Sequence, residues 1–269
     1  MTDPFVPAST GPVVPATTAV LPGGGHIPLL GFGTWQLTGE TATSATTVAL
    51  QAGYRHLDTA HVYGNEAEVG AALRGTGRDG VFVTTKLPPA RADQARATLE
   101  QSLQALGVEA LDLWLVHWPA GPGADVDLWG DFLQAQADGL ARDVGVSNYS
   151  LAQLDELLAS TGVMPALNQI PWSPLRHDPA LVEGHRERGV VLEGYSGLKG
   201  GVLEHPTVTG LAKRLGRTPA QVVLRWHLEH EIVVIPRSQD PARIRANADL
   251  DGFRLDPQDV AALDALGAA

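Results

Sequence analysis

Val81-Phe82-Val83-Thr84-Thr85-Lys86, an amphipathic run from Ala92 to Leu106, and then Leu111-Asp112-Leu113-Trp114-Leu115-Val116-His117 together decide the fold class. The two outer pieces are short, apolar and rich in β-branched and aromatic residues, which predicts strands. Between them Ala95, Leu99, Leu103 and Leu106 recur at three- and four-residue spacings, which predicts a helix with one apolar face. Strand, helix and strand in that order form the unit of a parallel sheet, because the crossover helix returns the chain to where the next strand must start.

The same alternation extends outward through Phe32 to Trp35, Arg55 to Asp58, Asp143 to Ser147, Ala166 to Ile170, Val190 to Tyr195 and Ile232 to Pro236. Eight strands alternating with helices predict an α/β fold closed as a (β/α)8 TIM barrel. Leu151, Leu154, Leu157 and Leu158 repeat the helical spacing. Pro219 follows Thr218 as a first-turn proline follows its N-cap, ahead of Val222, Val223 and Trp226. Before the barrel, Ala19-Val20-Leu21 and Ile27-Pro28-Leu29-Leu30 flank Pro22-Gly23-Gly24-Gly25, the pattern of an N-terminal β-hairpin. Residues 1–18, rich in Pro, Thr and Ala, read as a flexible tail, and 19–269 as one barrel domain.

Lys and Arg total 19 against 30 Asp and Glu, a net charge of −11 that argues against nucleic acid or anionic membrane as a partner. No cysteine is present, no apolar run is long enough to span a bilayer, and the N-terminal stretch lacks the basic and apolar regions of a signal peptide. A cytoplasmic monomer acting on a small molecule is the expectation.

In a parallel barrel the chemistry collects at the C-terminal ends of the strands. Asp58 in Asp58-Thr59-Ala60-His61-Val62-Tyr63-Gly64-Asn65-Glu66, Lys86 and His117 each stand at such an end, with Tyr63 in the loop just beyond. Alone, each has an ordinary reading as a cap, a solvated cation, a structural imidazole or a packing ring. Together they suit proton delivery to a carbonyl oxygen. A free phenol has a pKa of about 10, too high for efficient donation near neutrality, and a neighbouring ammonium lowers it. Lys86 is expected to act so on Tyr63, Asp58 to hold Lys86, and neutral His117 to orient the substrate oxygen. Strand alternation also points His56 and Asp58 to one face, so a metal-dependent hydrolase using His56, Asp58 and His117 is an alternative. No G-x-G-x-x-G follows a strand, so no Rossmann site is indicated.

These four motifs, in this order, resemble the aldo-keto reductase family, whose catalytic tetrad is Asp, Tyr, Lys and His; the short form is similar to bacterial reductases of ketoaldehydes and diketo acids. The resemblance runs from about Thr17 to the end of the chain. It implies NADPH-dependent reduction of aldehydes and ketones, with Asp58, Tyr63, Lys86 and His117 catalytic. It implies that Ser147, Asn148 and Gln169 bind the nicotinamide carboxamide, that Tyr195 stacks on the ring, and that Ser196 and Leu198 lie near the pyrophosphate. Arg237, Ser238, Arg243 and Asn247 resemble the family's clamp for the adenosine 2′-phosphate, which points to NADP(H). Two departures stand in that clamp: Arg237 replaces the usual Lys, and Ala246 a frequent Glu. By the same resemblance Trp35, His61 and Trp118 line the substrate pocket. Some relatives only bind the nucleotide as regulatory subunits, which is a second alternative.

Overall fold

The computed structural model describes residues 17–121 and 124–268. The expected tail therefore lies outside the described residues except for its last two. β1 (Thr18–Val20) already pairs antiparallel with β2 (His26–Pro28), Thr18 opposite Pro28. The hairpin turn is held by Asp143, whose carboxylate accepts from Gly23 N at 2.6 Å and Gly25 N at 3.1 Å. A Cβ on either glycine would stand 2.5 Å from an Asp143 oxygen, so close approach explains the glycines at both positions.

Eight parallel strands follow: β3 (Phe32–Gly33), β4 (His56–Asp58), β5 (Phe82–Leu87), β6 (Leu111–Val116), β7 (Ala141–Ser147), β8 (Leu167–Pro171), β9 (Val191–Tyr195) and β10 (Val233–Val234). Neighbours in the sheet are neighbours in the chain throughout. Leu30 bridges Val234, Val234 N donates to Leu29 O at 2.8 Å and Gly33 N to Pro236 O at 3.1 Å, so the first and last strands meet and the barrel closes. β5 and β6 are buried at every position, as strands covered by helices outside and side chains inside must be.

The helices are α1 (Gly39–Gln51), α2 (Glu66–Thr76), α3 (Ala95–Leu106), α4 (Ala124–Ala137), α5 (Leu151–Thr161), α6 (Pro179–Glu187), α7 (Pro206–Leu215), α8 (Pro219–Glu229), α9 (Pro241–Ala248) and α10 (Pro257–Asp264). The expected helix from Ala92 starts as a 3-10 segment, Pro89–Gln94, and turns α-helical only at Ala95. It ends at Gly107, which takes the left-handed conformation at φ 70°. Thr218 caps α8 in a reciprocal box with Gln221. α6, α9 and α10 begin the same way, with Asp178, Asp240 and Asp256 each capping a helix whose first residue is proline. Trp129 is wholly buried in α4. Among the described residues no helix is long and apolar enough to cross a membrane.

Replacing Asp143 by Ala strands the Gly23 and Gly25 amides without their acceptor. The expected loss is about 1–3 kcal/mol of stability, read from urea unfolding, with the barrel otherwise intact.

Candidate active site

His56, Leu57 and Asp58 make up β4, and alternation turns His56 and Asp58 into the barrel. Lys86 on β5 is completely buried. Its ammonium donates to both Asp58 oxygens at 2.7 Å and to Thr59 O at 2.8 Å, which uses all three of its protons. Gln169 on β8 adds a bond from Nε2 to Asp58 Oδ2 at 2.9 Å. Burial disfavours the Lys86 ammonium, but Asp58 more than offsets it and the pKa lies above the ordinary lysine value.

Tyr63 closes a 3-10 turn, His61–Tyr63, that Gly64 ends in the left-handed conformation at φ 65°. Asn65, which carries no assigned role in the sequence reading, fixes this turn. Its side chain donates to Thr34 O and Leu37 O, both at 2.8 Å, and accepts from Thr59 Oγ1 at 2.9 Å, joining the loops after β3 and β4. The Tyr63 ring centroid lies 5.4 Å from Lys86 Nζ and meets the His117 ring edge to face at 5.7 Å. The structure thus brings Asp58, Tyr63, Lys86 and His117 to one end of the barrel.

Burial raises the Tyr63 phenol above its usual value, while Lys86 pulls it down and Asp58 adds to the rise. The ammonium acts as expected, but desolvation wins. The phenol is therefore protonated at neutral pH, the form a proton donor needs. His117 is pushed down to about 3 by burial and by Lys86, so its imidazole is neutral. A protonated phenol and a neutral N–H donor side by side can address one oxygen atom.

Around them runs a chain of polar contacts. Tyr195 OH donates to Asn148 Oδ1 at 2.8 Å, Asn148 Nδ2 to His117 O and Ser147 Oγ at 3.0 Å each, and Ser147 Oγ to Gln169 O at 2.8 Å. Asn148 and Ser196 follow β7 and β9 at φ 66° and 57°, and Gln36 follows β3 at φ 62°; side chains rarely take this backbone region, and it sets loop direction here. Leu198 packs against both parts of the hydrophobic core. Beyond β10, Arg237 donates to Trp35 O at 3.1 Å and Gln36 O at 3.0 Å. Ser238 Oγ accepts from Asp240 N at 3.1 Å. Arg243 is exposed, 3.6 Å from Asp240, and Asn247 is buried on α9. Trp35 and Trp118 are half exposed, and Lys199 Nζ sits 4.2 Å over the Trp35 ring. His61 turns Nδ1 toward Ser102 Oγ and Glu66 Oε2, each at 3.5 Å. Exposed Val62, in the same turn as Tyr63, adds an apolar side chain that the sequence reading did not single out.

The metal-ligand set of His56, Asp58 and His117 is not assembled: Asp58 is spent on Lys86 and Gln169, and His56 turns to Thr84 Oγ1 at 3.2 Å. Among the described residues the one group of such side chains close enough to share an ion is His177, His230 and Asp264, which no part of this site touches.

Residues 29–268 match the model of the aldo/keto reductase family. An aldo-keto reductase of Mycobacterium sp. (strain KMS) is 42% identical over 257 residues, 93% of this chain and 93% of the relative. One of Mycobacterium tuberculosis (strain ATCC 25618 / H37Rv) is 40% identical over 90% of this chain and 86% of its own length. Among solved structures, an aldo/keto reductase from Brucella melitensis superposes with a TM-score of 0.90 at 39% identity, covering 94% of this chain and 100% of that one. The aldose reductase from Schistosoma japonicum gives 0.87 at 31%, covering 92% and 91%.

His56 and His227 are buried and His117 is partly so, and the three are depressed to about 3, 4 and 3 from the ordinary 6.5. The unfolded chain then binds protons that the fold rejects, so the stability these three imidazoles contribute is full above about pH 6.5 and falls as pH drops toward 3–4. NMR should show these three imidazoles neutral at and above about pH 5; a His117 titrating near 6.5 would refute the electrostatics of the site.

Proposed function

The chain belongs to the aldo-keto reductase family and is an oxidoreductase; from that premise we propose that it reduces aldehydes and ketones to alcohols with NADPH, Tyr63 delivering the proton. The observation that carries this reading is the fully satisfied ion pair of Lys86 and Asp58 beneath a protonated Tyr63 and a neutral His117.

A nicotinamide nucleotide supplies the hydride in such chemistry, since no side chain does. The residues present suit one. Arg237 spends two of its five donors on Trp35 and Gln36 carbonyls, which leaves the rest of its guanidinium for a phosphate. Exposed Arg243 adds a second cation and Ser238 a hydroxyl, so this corner of an acidic protein favours a 2′-phosphate; Asn247 on α9 would meet the adenosine. Ser147 and Asn148 would turn from the bond they make with each other to hold the carboxamide, with the Gln169 side-chain amide beside them. Tyr195 would support the ring, with Ser196 and Leu198 beside the pyrophosphate.

The substrate oxygen takes its place between Tyr63 and His117. His117 orients it by an N–H bond. Tyr63 gives up its proton as negative charge develops on that oxygen, and Lys86 stabilises the phenolate left behind. Asp58 keeps the ammonium in place through the step. Trp35, Trp118 and His61 frame an aromatic pocket for small carbonyl compounds. A cytoplasmic monomer remains the reading, supported by the net charge of −11, which opposes self-association, and by the cysteine-free composition.

Tyr63→Phe should lower aldehyde-dependent NADPH oxidation by about 10²–10⁴-fold while NADPH still binds. Near-normal turnover would sink the assignment. Neutralising Arg237 and Arg243 together should weaken NADPH far more than NADH in a fluorescence titration, whereas equal losses would rule out the phosphate clamp.

A further inference from the structure

Glu193 on β9 is completely buried, and neither carboxylate oxygen has a hydrogen-bond partner. Buried carboxylates left so are rare, and each needs a reason. Its nearest basic group is His56 Nε2, 3.9 Å away across the barrel. In the sheet it stands in register with Gln169, and residues paired this way project to the same face. Gln169 is the residue whose amide binds Asp58. Glu193 therefore belongs to the same sealed interior as the catalytic ion pair.

The charges there do not balance if every carboxyl is ionised. β4 contributes Asp58 and His56, β5 contributes Lys86 and the uncharged Thr84, β8 contributes the neutral amide of Gln169, and β10 presents Val233 in register. Tyr63 lies above, protonated. Burial and Lys86 keep His56 neutral. One ammonium thus serves two carboxylates, and Asp58 holds it with both oxygens. Two like charges in such a space cannot both ionise cheaply. Glu193 carries the proton: burial, then Asp58, raise it to about 8, with Lys86 and the neighbouring Gln169 amide opposing.

We propose that Glu193 is a positioning residue of the reductase site: as the neutral acid it leaves Asp58 the sole anion facing Lys86, and its ionisation makes Tyr63 a weaker acid and slows proton delivery. The proposal rests on the reading of Tyr63 as the proton donor. It concerns kcat rather than substrate affinity, because Glu193 lies beneath the site and touches no surface a ligand reaches.

The test is the pH profile of kcat and of KM for aldehyde reduction in the wild-type protein, Glu193→Gln and Glu193→Asp. Wild-type kcat should fall through one ionisation governed by Glu193 to a lower plateau set by the less acidic Tyr63. Glu193→Gln, which copies the neutral acid, should lose that limb. Glu193→Asp, which keeps a carboxyl, should retain it at a displaced pH. A Gln variant that keeps the limb, or loses rate equally at every pH, overturns the proposal. Urea midpoints give a readout without turnover. A folded value above the unfolded one means that Glu193's own contribution to stability is lost as pH rises from about 4.5 to about 8, so the stability of the wild-type protein relative to the Gln variant should decline over that range. Parallel curves would overturn the proposal even if the Gln variant folded poorly. Aldehyde turnover absent from the wild-type protein while the urea curves diverge would instead defeat the reductase reading and, with it, the effect on Tyr63, leaving the neutral acid supported.

Discussion

An ammonium at the centre of a protein must be paid for, and in this barrel Asp58 does so for Lys86. Stripping water from either ion costs several kcal/mol, repaid only where geometry is close and every remaining donor is met. Both carboxylate oxygens lie 2.7 Å from Nζ, the third proton goes to Thr59 O, and Gln169 braces the acid from β8. A charge fixed so firmly governs its neighbours. It helps to keep His56 and His117 neutral and pulls on the Tyr63 phenol against burial. Each titratable side chain near it holds the protonation state that carbonyl reduction requires.

The loops at the same end are held by tertiary bonds rather than by local propensity. Asn65 ties the loop after β4 to the loop after β3, Arg237 ties that loop to the one after β10, and Asn148 links β6, β7 and β9. Gln36, Asn148 and Ser196 accept a left-handed backbone that their side chains disfavour. Such strain persists only where surroundings over-determine it, and here it aims groups at one space.

A polar interior has a stability cost. His56, Thr84 and Glu193 fill space that aliphatic side chains fill in an ordinary barrel core, and several of their atoms go without partners. The outer layer compensates. Helices α6, α8, α9 and α10 carry side-chain caps followed by proline, and Trp114 stacks on Phe132 of α4 at 3.6 Å between ring centroids. Rigidity in the wall supports a costly centre.

Alternation of strands and amphipathic helices was legible residue by residue, because period and spacing are local properties: β5, β6 and β9 fall within one residue of their expected bounds. The residue types of the quartet were legible too, since Asp58, Lys86 and His117 lie at or within one residue of strand ends, and strand ends in a parallel barrel share one face. Propensity could not show that Ala92 stands in a 3-10 turn, or that Trp129 is helical and buried, since packing decides those. Nor could spacing reveal that Gln169 braces Asp58, that Asn65 joins two loops, or that Glu193 lies unpaired beside the ion pair. Those contacts join residues far apart in the chain. The net direction of the Tyr63 shift belongs with them, because desolvation depends on everything around a group and only the closed barrel supplies those surroundings.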